Sequence, residues 1–238
     1  LSVSGGSNST KYFLSFGEVM QDGQYKFGST KVNQYNLRSN IDVQVTDNFS
    51  VGMNLAGRFD NNHFPYRSMN ELNSHIYLYQ PNWVPYWPGT DFITPNRAND
   101  NIINFVSDDN GYQNVKTTTI QTTLFAKWTL PWVKGLSLSG SGSYDPNTQF
   151  RKTWQLPTYV YYKNTADDGY TRARSGFGVN NADLLDRTDM GSLFYLTGRL
   201  NYERKFGNHN FAVLLGYEQQ TTKSNFVAAY RSDFVSTV

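Results

Sequence analysis

Gln34-Tyr35-Asn36-Leu37-Arg38-Ser39-Asn40-Ile41-Asp42-Val43-Gln44-Val45 is the stretch whose pattern decides the fold. Tyr35, Leu37, Ile41, Val43 and Val45 share one parity, in which Ser39 is the only polar member. Gln34, Asn36, Arg38, Asn40, Asp42 and Gln44 share the other. Period two over such a length predicts a β-strand with one apolar and one strongly polar face. Thr46-Asp47-Asn48 then reads as a tight turn, because Asp and Asn side chains bond their own backbone and tolerate left-handed geometry. The return strand follows at once. Phe49, Val51, Met53, Leu55 and Phe59 alternate with Ser50, Gly52, Asn54, Arg58 and Asp60, which completes a hairpin.

The same unit recurs on both sides. Leu1 and Val3 lead through Gly5 to Ser9 into Tyr12, Leu14 and Phe16. Ile120, Leu124, Ala126, Trp128 and Leu130 turn at Pro131 to Gly135 into Leu136, Leu138 and Tyr144. Phe194, Leu196, Leu200 and Tyr202 turn at Gly207-Asn208 into Phe211, Val213, Leu215 and Tyr217. The prediction is about eight antiparallel strands in four hairpins. Helical periodicity is weak, with one short turn near Ser68 to Ser74.

Long connections separate the hairpins: Met20 to Lys31, Asp60 to about Lys116, Asp145 to about Arg187, and Thr221 onward. Compact soluble domains rarely carry structureless loops beyond about 12–15 residues. Alternation alone fits two readings. In a soluble sandwich the apolar parity faces a core, and in a membrane barrel it faces lipid. Three features favour the barrel. Several strands exceed the usual soluble length and match the roughly 9–11 residues of a membrane strand. Short and long connections alternate strictly, as periplasmic turns and extracellular loops do. Aromatics gather beside the short turns at Tyr12, Phe49, Trp128, Trp132 and Phe206, where one interfacial girdle belongs.

Composition agrees. Aromatics reach 16% of the 238 residues, while hydrophobics are only 38%, and the mean hydropathy is −0.58. No run approaches the roughly 18 apolar residues of a membrane helix. Barrel strands average to such polarity because lumen-facing residues alternate with lipid-facing ones. There are no cysteines, which removes disulfides and thiolate metal sites. A net charge of +2 gives no pull toward nucleic acid. The N-terminal Leu1 to Gly6 has neither the basic head nor the apolar core of a signal peptide, so the chain is expected to be a cut piece.

The residues also resemble a family. Leu1-Ser2-Val3-Ser4-Gly5-Gly6-Ser7, Thr10-Lys11-Tyr12-Phe13, Gln21-Asp22-Gly23, Tyr35 to Asp42, Gly135 to Leu138, Asn201 to Asn210 and Gly216-Tyr217-Glu218 together look like the barrel of SusC/RagA-type TonB-linked transporters of Bacteroidetes. The ordered set carries the likeness; no single motif does. The resemblance implies an all-β, up-and-down transmembrane barrel of about 22 strands closed by a plug. It also implies outer-membrane import of oligosaccharides or peptides, a SusD-like surface lipoprotein as lid, and power from the TonB complex. Residues 1–238 are then expected to be part of a single TonB-dependent receptor β-barrel domain, with plug and remaining strands absent. The end, Ser232 to Val238, is not the aromatic-terminated last strand of a whole barrel. Rival readings are a porin or adhesin barrel and a soluble carbohydrate-binding β-domain.

For ligand binding, the candidates are Tyr79, Trp83, Tyr86 and Trp87, set among Pro81, Pro85, Pro88 and Gly89, with Phe92 close by. Aromatic faces stack on sugar rings, and prolines lower the cost of presenting them. A second group holds Trp154, Tyr159, Tyr161 and Tyr162. The blander reading is preferred for both: amphipathic rings packing a loop onto the rim, plug or lid. No catalytic residue is assigned. Asp60, Glu71, Asp91, Asp108 and Asp109 read as solvated loop charge and not as a glycosidase pair. Asp108-Asp109-Asn110-Gly111 lacks the spacing of a calcium loop. His63, His75 and His209 show no ligand spacing, and Gly140-Ser141-Gly142 is a small-residue strand face with no phosphate-loop lysine after it. No cofactor or metal is expected. Arg38, Asp42, Arg58, Arg199 and Glu203 are expected to face the lumen and to pair with one another, the alternative being contact with the plug or a part in selectivity.

Overall fold

The computed structural model describes residues 1–25, 30–96, 99–176 and 178–234. Its main element is an eight-stranded antiparallel sheet. The strands are β1 (Ser2–Gly6), β2 (Thr10–Asp22), β3 (Lys31–Thr46), β4 (Phe49–Pro65), β5 (Gly111–Thr129), β6 (Leu136–Gln155), β9 (Asp183–Phe206) and β10 (His209–Arg231). Each pairs with the next in chain order, except that β6 pairs with β9. The two strands between them, β7 (Tyr159–Lys163) and β8 (Tyr170–Arg174), form a separate ladder. The sheet is an open, up-and-down segment of a barrel wall with β1 and β10 at its edges.

Short turns join the strands at one end. Asp47-Asn48 closes β3 onto β4, with a register irregularity between Gln44 and Thr46 beside it. Gly207 takes a φ of +60°, which lets two residues reverse the chain between β9 and β10. At Gly135 a Cβ would lie 2.0 Å from the Glu203 carbonyl oxygen, so only glycine lets β9 approach.

The hairpins follow the alternation, but the strands outrun it. β5, β6, β9 and β10 have 19, 20, 24 and 23 residues, where crossing a bilayer needs only about 9–11. Thus β4 continues past Asp60 to Pro65, β5 begins at Gly111, β6 passes Asp145 to reach Gln155, β9 starts at Asp183, and β10 passes Thr221 to Arg231. The expected long connections are shortened accordingly. Backbone pairing continues there, while the apolar parity stops because both faces have left the membrane. The remaining connections are folded. The first carries helix α1 (Met69–Leu78) and the single turn α2 (Ile103–Val106), and the second carries β7 and β8. Helix α1 starts at a full capping box between Ser68 and Glu71, which extends the turn expected near Ser68 to Ser74. The connection from Met20 to Lys31 includes residues 26–29, and the chain end includes residues 235–238; both segments lie outside the described residues.

The sheet has no core of its own. One face carries Leu124, Leu138 and Leu215, at 57%, 46% and 61% exposure. Leaving such a side chain in water costs about 1.5–3 kcal/mol relative to burial, so this face belongs in lipid. From Phe49 to Phe59, at roughly 3.4 Å per residue and about 45° of tilt, the apolar run covers about 24 Å of membrane normal. That matches the apolar band of about 25 Å of outer-membrane barrels. At the turn end Trp128 and Trp132 meet edge-to-face at 5.4 Å, and Phe206 and Phe211 at 5.8 Å, as the expected girdle. Among the described residues no helix is long and apolar enough to cross a membrane; the strands cross.

Candidate functional site

The polar parity forms the inner face. One rung runs Gln34, Asp60, Thr117, Gln149, Asp189 across five strands, with Asn36, Arg58, Thr119 and Asn147 on the adjacent inward rung. Side chains bond along and across these rungs. The Arg58 Nε donates to the Asp60 carboxylate at 2.9 Å. Asn147 Nδ2 donates to Thr119 Oγ1 at 2.8 Å, and Arg151 Nη2 to Gln149 Oε1 at 3.0 Å. Arg187 holds Asp189 through Nε at 2.8 Å and Nη2 at 2.6 Å. A hollow of about 970 Å³ lies against the wall, lined by Arg38, Arg58, Asp60 and Gln149 together with apolar Phe16 and Val115 among others. Of the five charges expected to pair among themselves, only Arg58 makes an ion pair, and its partner is Asp60. The reason is geometric: residues two apart on a strand share a face, and Asp60 is 8% exposed beside its arginine. Among the described residues no ion pair joins Arg38, Asp42, Arg199 or Glu203.

Above the long-loop ends of the strands, the two folded connections knit into a cap. Its apolar centre is Leu72, Phe105 and Val106. Its polar centre is Asp100, Asn101 and Asn104, each 1% exposed. Asp100 Oδ1 accepts from the Asn101 backbone N–H at 2.8 Å and from Asn104 Nδ2 at 3.0 Å. Asn101 Nδ2 in turn donates to the Pro85 and Thr94 carbonyls. The other Asp100 oxygen lies 3.6 Å from Arg67, whose guanidinium stacks 4.6 Å from the Phe105 ring centre. Burial pushes the neighbouring Tyr66 phenol upward, against the opposing pull of Arg67.

The candidate rings fall into three environments. Trp87 donates its indole N–H to the Tyr161 carbonyl at 2.6 Å and tilts against Tyr170. Phe92 stacks on Tyr161 at 4.5 Å, and Tyr86 bridges to Ile93. Tyr79 accepts from Asn96 Nδ2 at 2.8 Å and meets Trp83 edge-to-face at 5.4 Å. Burial raises the Tyr79 and Tyr86 phenols, and Asp91 adds to the rise at Tyr86. Trp154 stands apart on the outward parity of β6, level with Tyr112 and Leu184, and meets Phe234 edge-to-face at 5.0 Å. Proximity in sequence to Tyr159 therefore does not place it in the cap. Tyr170 joins the cap cluster without having been singled out in the sequence; the turn Asp167-Asp168-Gly169 between aromatic runs was the available signal. Asp167 accepts there from Asn164 Nδ2 and the Gly169 N–H, which hold its carboxyl below the ordinary range.

The acidic side chains are mostly engaged in structure. Glu71 caps α1, Asp109 accepts from Ser107, and Asp108 lies 2.9 Å from His63 Nε2, whose Nδ1 is 2.6 Å from Asn114. Among the described residues no group of three His, Cys, Asp or Glu side chains could hold a metal ion.

A wall apolar outside, wet inside and capped at the long-loop end defines an outer-membrane β-barrel protein. No family model matches the chain. Over 99% of its length it is 25% identical to the TonB-dependent receptor P3 of Formosa agariphila, and spans 22% of that protein. Its fold matches a chain of the RagAB peptide importer in the open-open state with a TM-score of 0.71 at 18% identity, covering 99% of this chain and 25% of that one. The RagAB peptide transporter gives 0.70 at 19% identity over the same shares. The chain thus spans about a quarter or less of each relative, and resembles a segment of the SusC/RagA-type TonB-dependent barrel from end to end.

Proposed function

We propose that residues 1–238 form part of a single TonB-dependent receptor β-barrel domain that imports nutrients across the outer membrane, the plug and further strands being supplied by the rest of the protein. The observation that carries this reading is the end-to-end match to a TonB-dependent receptor by a sheet whose inner face is mostly polar from Gln34 and Asp60 to Thr117 and Thr123. The cargo is a glycan or peptide: an oligosaccharide or a short peptide, taken up with energy from the TonB complex. A SusD-like lipoprotein docks over the cap. Trp83 and Tyr86 are the rings we assign to ligand contact, with Tyr79 and Trp87 bracing them; Trp154 serves the rim. Deleting the gene should abolish growth on the cognate oligosaccharide or peptide as sole source, and loss of TonB should do the same. Growth unaffected by TonB would favour a porin and overturn the proposal.

A further inference from the structure

Two adjacent rungs of the outward face cross the wall from β3 to β10. They are Val43, Val51, Ala126, Gly140, Gly198, Tyr217 and Ile41, Met53, Leu124, Gly142, Leu196, Gln219. Side chains are absent at Gly140 and Gly142 on β6 and at Gly198 on β9, and rise again at Leu196 and Tyr217. The result is an apolar groove of about 580 Å³, floored at Gly140 and Gly142 and walled by Met53, Leu124 and Leu196. The hollow is open space held free of side chains. A Cβ at Gly142 would reach only Leu196 Cδ1, at 3.7 Å, and one at Gly198 would meet nothing within 4 Å.

The groove lies one outward step from the rung of Trp128, Leu138 and Leu200, on the short-turn side of the membrane. Following β9 toward that turn, the outward positions are Leu200, Tyr202 and Arg204. Arg204 is exposed, and its guanidinium stacks 4.9 Å from the Phe206 ring centre. Among the described residues it has no acidic partner. At roughly 3.4 Å per residue and about 45° of tilt, Gly198 sits about 14 Å deeper than Arg204. Half a hydrocarbon core is about 15 Å.

We propose that this wall seats one phospholipid of the periplasmic leaflet, its phosphate on Arg204 and one acyl chain in the Gly140–Gly142 groove. The occupant follows from three matched properties. The lining is apolar and faces lipid, the depth from Arg204 equals one leaflet, and the unpaired cation at the interface suits a phosphate. A lipopolysaccharide chain would enter from the long-loop side, and a second copy of the wall would leave Arg204 unmatched.

Native mass spectrometry of the whole protein, extracted in mild detergent and titrated with phosphatidylethanolamine, tests this. One phospholipid should be retained. Gly142→Leu, which fills the groove, and Arg204→Gln should each lower retention about tenfold, as expected for losing a charge-assisted contact or its equivalent in packing. Arg204→Lys should keep part of it, and the distant outward substitution Thr118→Val should change nothing. Retention in Gly142→Leu or Arg204→Gln equal to that of the unsubstituted protein overturns the site. So does recovery of lipopolysaccharide as the bound lipid, or a change in oligomeric mass on Gly142→Leu with lipid unchanged. Gly198→Leu repeats the groove-filling test on open backbone should Gly142→Leu lose its folded, heat-modifiable gel mobility.

Discussion

The wall and the cap solve the problem of stability in opposite ways. In the wall, most apolar side chains point away from the protein, and the strands are joined by the ladder of backbone bonds with polar side-chain bonds such as Asn147 to Thr119 on the inner face. In the cap, a buried carboxylate, two buried asparagines and Phe105 form a small interior of their own. The wall therefore depends on its solvent, while the cap depends on its contacts. Membrane strands tolerate this arrangement because lipid does for Leu124 or Leu215 what a core does in a soluble sheet.

The contrast is easiest to break by taking lipid away. Removing detergent should aggregate the protein entirely, since the apolar outward face would meet water; light scattering measures this. A soluble, monodisperse protein would contradict the account of the wall. In the wall, Leu124→Arg near the membrane interior should cost about 2–4 kcal/mol in refolding into vesicles, whereas the neighbouring inward change Thr123→Arg should cost far less. Within the cap, Asp100→Ala removes one of the partners of Arg67 and an acceptor of Asn104, and should destabilise the loops locally by about 1–3 kcal/mol. Hydrogen exchange should rise across residues 66–96 and 156–176 while the amides of β4 and β5 stay protected. Trp87→Phe removes only the bond to the Tyr161 carbonyl, about 0.5–1.5 kcal/mol, read as faster proteolysis of the cap. The smallest effect is one of pH. The Asp167 carboxyl is held below its unfolded value, so its contribution to the β7–β8 turn is present above that value. It is lost only as pH falls through the lowered one. Exchange of the Gly169 amide should stay slow through the ordinary carboxylate range and quicken below it.

The two regions also differ in how far they could be read in advance. Alternation from Tyr35 to Phe59 identified strands, faces and the hairpin, because a wall faces one environment on each side and the chain must record both. The upper strand ends were missed because both faces there meet polar surroundings, so Asn61, Asn62 and Asn114 carry no alternation although they are paired. Trp154 was grouped with the wrong rings, since its neighbour Tyr159 lies past the end of β6. The cap was illegible as a unit: Trp87 bonds a residue 74 positions away, and no local period announces such a contact.

The membrane-crossing wall was legible in the residues alone: its strands, its short turns, its lipid and lumen faces, and its resemblance to TonB-linked barrels. Period two and turn chemistry are local, and a strand's face follows from them directly. Folding in three dimensions was needed to set which charge pairs with which, how two distant loops close over Asp100, and where glycines on neighbouring strands align into a groove. Those depend on register between strands, which one strand's pattern cannot state.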